Sequence, residues 1–288
     1  MILYYAMGDG LGHLTRARAF LHTLHIREPV TLLTASPLAQ DPRVVGSARV
    51  IQVPAGLPAQ LPVYRTWLGD VIDRVRPHAI YLDAFPAGLL GEWCDFPLPG
   101  HIALHHVARL LRWPAYRARL WGTPPVLATT YVLEALTAEH EAFLRQQSTC
   151  LLPLDLHDPP LPPHCLVPPP GFRGPHQRHP LWLIIHAGSA AEVLELVAYA
   201  EETSVLEELR PRLLLLTPQR PAHLPAHVIS CQPYPATPFL SVAERIITAC
   251  GFNSMRQAAA YRERHRFLPF PRRLDDQFMR AARHRRPA

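Results

Sequence analysis

The chain has 288 residues, 48% of them hydrophobic and 18% charged, the make-up of a folded protein with one large or two modest domains. Its apolar runs, such as LWLII from residue 181 and RLLLLT from residue 212, are strand-sized, so no membrane span is expected. The net charge is +6 and all 29 basic residues are arginine, which suits anionic partners; without a nucleic-acid-binding motif or an aromatic-interleaved basic patch, no nucleic acid is expected.

The opening MILYYAMG reads as a first strand and not as a signal peptide, because no basic region precedes it. Further strands are predicted at PVTLLTA from residue 29, ARVIQV from 48, AIYLDAF from 79, HIALHH from 101 and TCLLPL from 149. Helices are predicted over 14–24, 66–75 and 135–146, and VLATTYV from 126 is open between strand and helix. The texture then changes to PLDLHDPPLPPHCLVPPPGFRGPHQRHP, where the prolines remove backbone donors and forbid helix. Past it, strands are predicted at LWLIIHAG from 181, RLLLLT from 212, HVISCQ from 227, RIITAC from 245 and RFLPF from 266. Helices are predicted over 190–202 and 254–260 and from Asp275 onward. Alternation of apolar runs with helical pattern predicts an α/β protein of two doubly wound, Rossmann-like domains facing a ligand cleft. The expected division is an N-terminal domain over 1–155, a proline-rich linker over 156–180 and a C-terminal domain over 181–288. The five cysteines (Cys94, Cys150, Cys165, Cys231, Cys250) show no metal-ligand spacing, so reduced thiols in a cytoplasmic protein are expected.

The first loop, GDGLGH, carries Gly8, Gly10 and Gly12 and ends on His13. A dinucleotide fingerprint would need a third glycine where His13 stands, and a phosphate loop would need a lysine that the chain lacks. The remaining readings place His13 at a helix N-terminus, either as a neutral proton acceptor kept so by the helix dipole or as a plain cap. Asp83, ending the strand IYLDAFP, favours the acceptor, since a carboxylate there could hold the other ring nitrogen. In the second half ACGFNSMRQ again joins a strand to a helix, and Gly251, Asn253 and Ser254 suit a diphosphate. HAGSA adds Gly188 and Ser189 at another strand end, and LPFPRRLDDQF brings Asp276 and Gln277 to the start of the last helix, where they can bind sugar hydroxyls. The run ARLLRWPAYRARLW from 108 (Arg109, Arg112, Arg117 and Arg119 among Leu110, Leu111, Trp113 and Trp121) reads as an amphipathic helix packed on the sheet, or as a peripheral membrane contact at the inner face.

Taken together, GDGLGHLTRA, GFNSMRQAAA and PFPRRLDDQ resemble nucleotide-sugar glycosyltransferases of the GT-B architecture, of the family 28 type that includes the peptidoglycan N-acetylglucosaminyltransferase. The stretch CGFNS…DQ also parallels the donor box of plant-type UDP-glycosyltransferases. The resemblance implies metal-independent, inverting transfer of a sugar from a nucleotide donor, UDP-linked, to an acceptor hydroxyl, with no further cofactor. His13 would be the general base with Asp83 behind it, and Gly188, Ser189, Gly251, Asn253 and Ser254 would hold the diphosphate. Gln257 would lie on the ribose, Asp276 and Gln277 on the donor sugar, and Tyr234 of CQPYPATPF against the base. The acceptor, a glycan, a lipid-linked or a small molecule, is not specified. Gln257 replaces the glutamate usual in such enzymes, Ala249 a histidine of the plant-type ones, and YRERHRFLPF a small apolar turn; the chain also stops soon after Ala282, where many relatives continue into bracing helices. These departures leave two alternatives, a catalytically silent nucleotide-sugar-binding or scaffold protein and a nucleotide-sugar epimerase of the same architecture.

Overall fold

The computed structural model describes residues 1–8, 10–160 and 179–285. The chain divides into two units: Met1–Pro159 with Arg273–Asp276, and Pro160–Arg272 with Gln277–Ala288. Most of the expected linker, residues 161–178 with Cys165, lies outside the described residues.

In the first unit β1 (Ile2–Ala6) leads into α1 (Leu11–Thr23), then β2 (Val30–Thr34), α2 (Pro42–Val45) and β3 (Arg49–Gln52). There follow α3 (Leu61–Val75), β4 (Ala79–Asp83), β5 (Ala103–Ala108), α4 (Trp113–Arg117), β6 (Leu127–Val132), α5 (Ala138–Gln147) and β7 (Ser148–Pro153). The seven strands make one parallel sheet in the order β3-β2-β1-β4-β5-β6-β7. Alternate residues of β1 serve opposite faces, as the two-residue period of a strand requires. Leu3 and Tyr5 join a core with Tyr64, Leu68 and Ile72 of α3, while Tyr4 meets Phe20 of α1, ring centroids 5.8 Å apart. With both faces covered, β1 and β4 read as unbroken apolar runs and are buried throughout.

The second unit repeats the plan with β8 (Leu181–Ile185), α6 (Ala190–Leu206), β9 (Arg212–Leu216), β10 (Ile229–Cys231), β11 (Arg245–Ala249), α7 (Phe252–Gln257), β12 (His265–Leu268) and α8 (Gln277–Arg285). Its five parallel strands run β10-β9-β8-β11-β12. Trp182 and Ile184 pack with Val193, Leu196 and Val197 of α6 on one face. Leu181 and Leu183 pack with Phe239 and Leu240 on the other.

Several expected boundaries move. The open segment from 126 is strand β6, because β5 and β7 flank it and hydrogen-bond to it. Helix α1 starts at Leu11 instead of residue 14, placing Gly12 inside the helix and His13 in its first turn. Helix α3 starts at Leu61 because Pro62 occupies the first turn, where its missing N–H costs nothing. The last helix starts at Gln277, two residues after the expected Asp275. The run 108–121 is not a long amphipathic helix: α4 has five residues, and Leu110, Leu111 and Trp113 are buried. Of its large apolar residues only Trp121 is exposed, under the Arg65 guanidinium, so the apolar face expected of a membrane contact is turned into the unit. No described helix is long and apolar enough to cross a membrane.

Candidate functional site

Both sheets switch direction between two neighbouring strands, β1 and β4 in the first and β8 and β11 in the second. Ligands of open α/β sheets bind beyond the carboxyl ends of the strands at such a point. In the first unit β1 runs into the glycine loop and α1, and β4 ends on Asp83 beside it. His13 and Asp83 meet there: Nδ1 of the imidazole lies 2.5 Å from Oδ2 of the carboxylate.

A third residue, which the sequence reading did not single out, completes the cluster. Arg16, one turn along α1 from His13, donates from Nε to Asp83 Oδ1 at 2.7 Å and from Nη2 to Oδ2 at 2.5 Å. Tyr4 of β1 adds its hydroxyl to Oδ1 at 3.2 Å. Asp83 is therefore held by a two-pronged guanidinium, a phenol and an imidazole, and its side chain is fully buried. Burial alone would raise its pKa; the Arg16 charge and the His13 hydrogen bond outweigh that and hold the carboxyl well below the usual carboxylate range. The ionised carboxylate can only accept, so Nδ1–H donates to it and neutral His13 presents an unprotonated Nε2. The pKa of His13 is lowered chiefly by burial, against the pull of Asp83, with the charges of Arg16 and Arg109 adding to the lowering. That cause differs from the helix dipole expected from the sequence.

Gly8 is part of this arrangement. Its φ of +155° is in the region that favours glycine, and a β-carbon there would overlap the His13 ring. Gly10 is the N-cap of α1, with extended backbone. Phe85 lies near the imidazole, ring centroids 6.1 Å apart, and the Arg109 guanidinium lies 6.0 Å from the same Phe85 ring. Arg109 is buried and paired with Asp275.

In the second unit β8 and β11 are hydrogen-bonded neighbours, so the loops after them emerge together. Gly188 and Ser189 follow β8; Ser189 caps α6, accepting from Glu192 N at 3.3 Å. Gly251 is the N-cap of α7, with Asn253 and Ser254 in the first turn. Ser254 and Gln257 share the lining of a cavity of about 20 Å³, room for one water, with Ala236 and Thr237. Tyr234 lies two residues before that wall and is half-buried. A cavity of about 490 Å³ along α3, lined by Arg65, Gly69 and Phe96 among others, contains none of the expected site residues.

Three placements here were not legible in the sequence. His186, Glu192 and Arg272 form a charged cluster: His186 Nε2 lies 2.7 Å from Glu192 Oε2, and Arg272 grips both oxygens of Glu192, one through Nη2 at 2.6 Å. A β-carbon on Gly188 would overlap this His186–Glu192 pair, so the glycine expected to approach a phosphate also makes room for the cluster. Arg280 of α8 is buried and donates to Cys250 O at 2.8 Å, bracing the loop that carries Gly251. Gln277, expected on the donor sugar, is buried with its carbonyl accepting from Phe270 N–H at 3.0 Å, a brace within its own unit. Asp276 stands one residue earlier, on the segment that belongs to the first unit. Among the described residues no group of three or more His, Cys, Asp or Glu is arranged to hold a metal ion.

No family model and no curated protein sequence matches the chain. Solved structures do match in fold. A glycosyltransferase of kitacinnamycin is 15% identical, with a TM-score of 0.59 over 98% of this chain and 83% of the other. The spinosyn rhamnosyltransferase SpnG, complexed with thymidine diphosphate, is 13% identical, with a TM-score of 0.57 over 99% and 84%. The UDP-GlcNAc 2-epimerase of Neisseria meningitidis, bound to UDP-GlcNAc, is 10% identical, with a TM-score of 0.56 over 93% and 82%. The chain has the two-Rossmann-domain fold of the GT-B glycosyltransferases, one that an epimerase also uses.

Proposed function

We propose that this chain is an inverting glycosyltransferase in which His13 activates the acceptor hydroxyl and the second unit binds a nucleoside-diphosphate sugar. The observation that carries the reading is the His13–Asp83–Arg16 cluster at the switch point of the first sheet. Asp83 fixes the tautomer with Nε2 unprotonated and steadies the imidazolium as it forms. Arg16 keeps that carboxylate ionised, so the proton taken from the acceptor stays on the ring.

In this reaction the acceptor oxygen attacks the anomeric carbon as its proton passes to His13 Nε2. The bond from that carbon to the diphosphate breaks, and the nucleoside diphosphate leaves with the electron pair. The growing charge on the leaving group needs preorganised donors. Gly188, Ser189, Gly251, Asn253 and Ser254, at the carboxyl ends of β8 and β11, are the groups we assign to it, without a metal. Gln257 would take the ribose, Tyr234 the base and Asp276 the sugar, and a uridine diphosphate donor is the first choice to test.

His13→Ala tests the assignment. General-base catalysis contributes about 10²–10⁴-fold, so transfer from a UDP- or TDP-sugar should fall by that factor while the affinity for the free nucleoside diphosphate stays unchanged. Transfer that survives in His13→Ala, or isomerisation of the sugar nucleotide with no acceptor present, would contradict it; the second result would point to an epimerase.

A further inference from the structure

The sequence Asp83-Ala84-Phe85-Pro86 carries the chain off the end of β4. Pro86 disfavours helical backbone at Phe85, so the chain does not leave the strand through a helical turn there. The bend falls on Ala84, whose φ is +68°, in the left-handed region that a residue with a β-carbon enters under strain. Phe85 N–H donates to Asp83 O at 2.9 Å, which closes a γ-turn around Ala84 in its rare and strained form. Ala84 N–H donates to Val107 O of β5 at 2.9 Å, and Ala84 is fully buried.

Phe85 is held where this turn leaves it. Its carbonyl accepts from Gly88 N–H at 3.1 Å. Its ring stacks on Tyr116 of α4, centroids 5.5 Å apart, in a cluster with Leu111 and Trp113. The Tyr116 hydroxyl is itself fixed, accepting from Ala87 N–H at 2.9 Å and donating to Gly88 O at 3.0 Å. So held, Phe85 lies within aromatic contact range of His13, whose side chain is only 14% exposed. The residues on either side of Ala84 therefore reach the same imidazole: Asp83 takes Nδ1, and Phe85 adds apolar surface near the ring. Strain of this kind persists where the surroundings over-determine it, and it gathers at functional sites.

We propose that Phe85 is a positioning residue that keeps the His13 imidazole dry, and that the strained turn at Ala84 delivers it there together with Asp83. Among the described residues the charges acting on the ring are Asp83 from β4, Arg16 from α1 and Arg109 after β5. Replacing Phe85 keeps these charges and admits water, so His13 should hold its proton to higher pH. A general base must be unprotonated, so the acid limit of transfer should move up with it. That consequence rests on the glycosyl-transfer reading above; the effect on the ring does not.

The test is NMR titration of the histidine-labelled full chain, with the His13 signal identified by its loss in H13Q. Relative to wild type, F85A should shift the His13 midpoint upward, F85V upward by less, and F85L, which restores most of the apolar bulk, by less still. The acid limb of kcat/KM, measured for wild type and F85A, should move in the same direction. A merely structural role would lower the melting temperature and leave both midpoints in place. For the turn, A84G gives up one buried methyl group and relieves the strain, whereas A108G gives up an equally buried methyl from extended β5 with no such strain to relieve. A84G should therefore lower the melting temperature less than A108G does. Should F85A fail to fold, F85V carries the same comparison. His13 midpoints that stay in place or fall in the Phe85 variants, an F85L shift as large as that of F85A, or a melting loss in A84G equal to that in A108G would overturn the inference and leave the functional reading in place. Wild-type protein without transfer activity would overturn the functional reading, and the NMR midpoints would still decide the role of Phe85.

Discussion

Each unit holds a histidine against a carboxylate that an arginine also grips: His13, Asp83 and Arg16 in the first, His186, Glu192 and Arg272 in the second. Each also places a glycine where a β-carbon would strike the cluster, Gly8 in one and Gly188 in the other. They differ in depth. Asp83 and Arg16 are 0% and 3% exposed, whereas Glu192 and Arg272 are 18% and 31% exposed. They differ also in support, because Asp83 ends a central strand and Glu192 rides on the first turn of a helix. The first arrangement fixes one imidazole in a single tautomer and orientation. The second is partly open to solvent, where an ion pair contributes less to stability.

That contrast can be broken by mutation. Asp83→Asn leaves the Arg16 charge buried without its counter-ion, so unfolding free energy should drop by about 3–5 kcal/mol in urea titration. A drop under 1 kcal/mol would show that the first cluster is as loosely held as the second. Acid should expose a feature that the units share, since burial also lowers His265 of the second unit to about 4. Burial lowers His106 to about 4 and His140 to about 3 in the first unit, and the two rings must charge on unfolding. Their folded pKa values are depressed, so the stability they contribute is full above pH 6.5 and is lost as pH falls toward 4 and 3. Between pH 6.5 and 5 each costs about 2 kcal/mol, at 1.36 kcal/mol per unit. His140→Phe should preserve the stack on Trp113, whose ring lies 4.3 Å away, and flatten the melting temperature against pH. An unchanged slope would remove His140 as a cause. At the small end, Glu192→Gln should cost about 1 kcal/mol or less, because Arg272, its charged partner, reaches solvent; a loss equal to that of Asp83→Asn would erase the comparison.

The strands were legible because both sheets are covered on two faces and write continuous apolar runs into the sequence. Helix starts were less so. Gly12 reads as loop until the fold shows it inside α1, and Pro62 marks a beginning that periodicity alone set later. His13 and Asp83 could be paired in advance, since one follows a predicted strand and the other ends one. Arg16 could not, because an arginine on a helix reads as solvated; the one clue was its spacing of three from His13, which puts both on one helical face. Arg109–Asp275 and Glu192–Arg272 join residues 166 and 80 positions apart, and no local pattern announces such contacts. Gln277 shows the opposite limit, a motif residue that the fold uses as an internal brace.

The central claim is a division of labour, base on the first unit and nucleotide on the second. Calorimetric titration of the wild-type chain and Ser254→Ala with UDP and then TDP tests it most directly. The account predicts micromolar affinity for one of them, at least tenfold weaker in Ser254→Ala. Absence of binding to either nucleotide, or equal affinity in the variant, would contradict it.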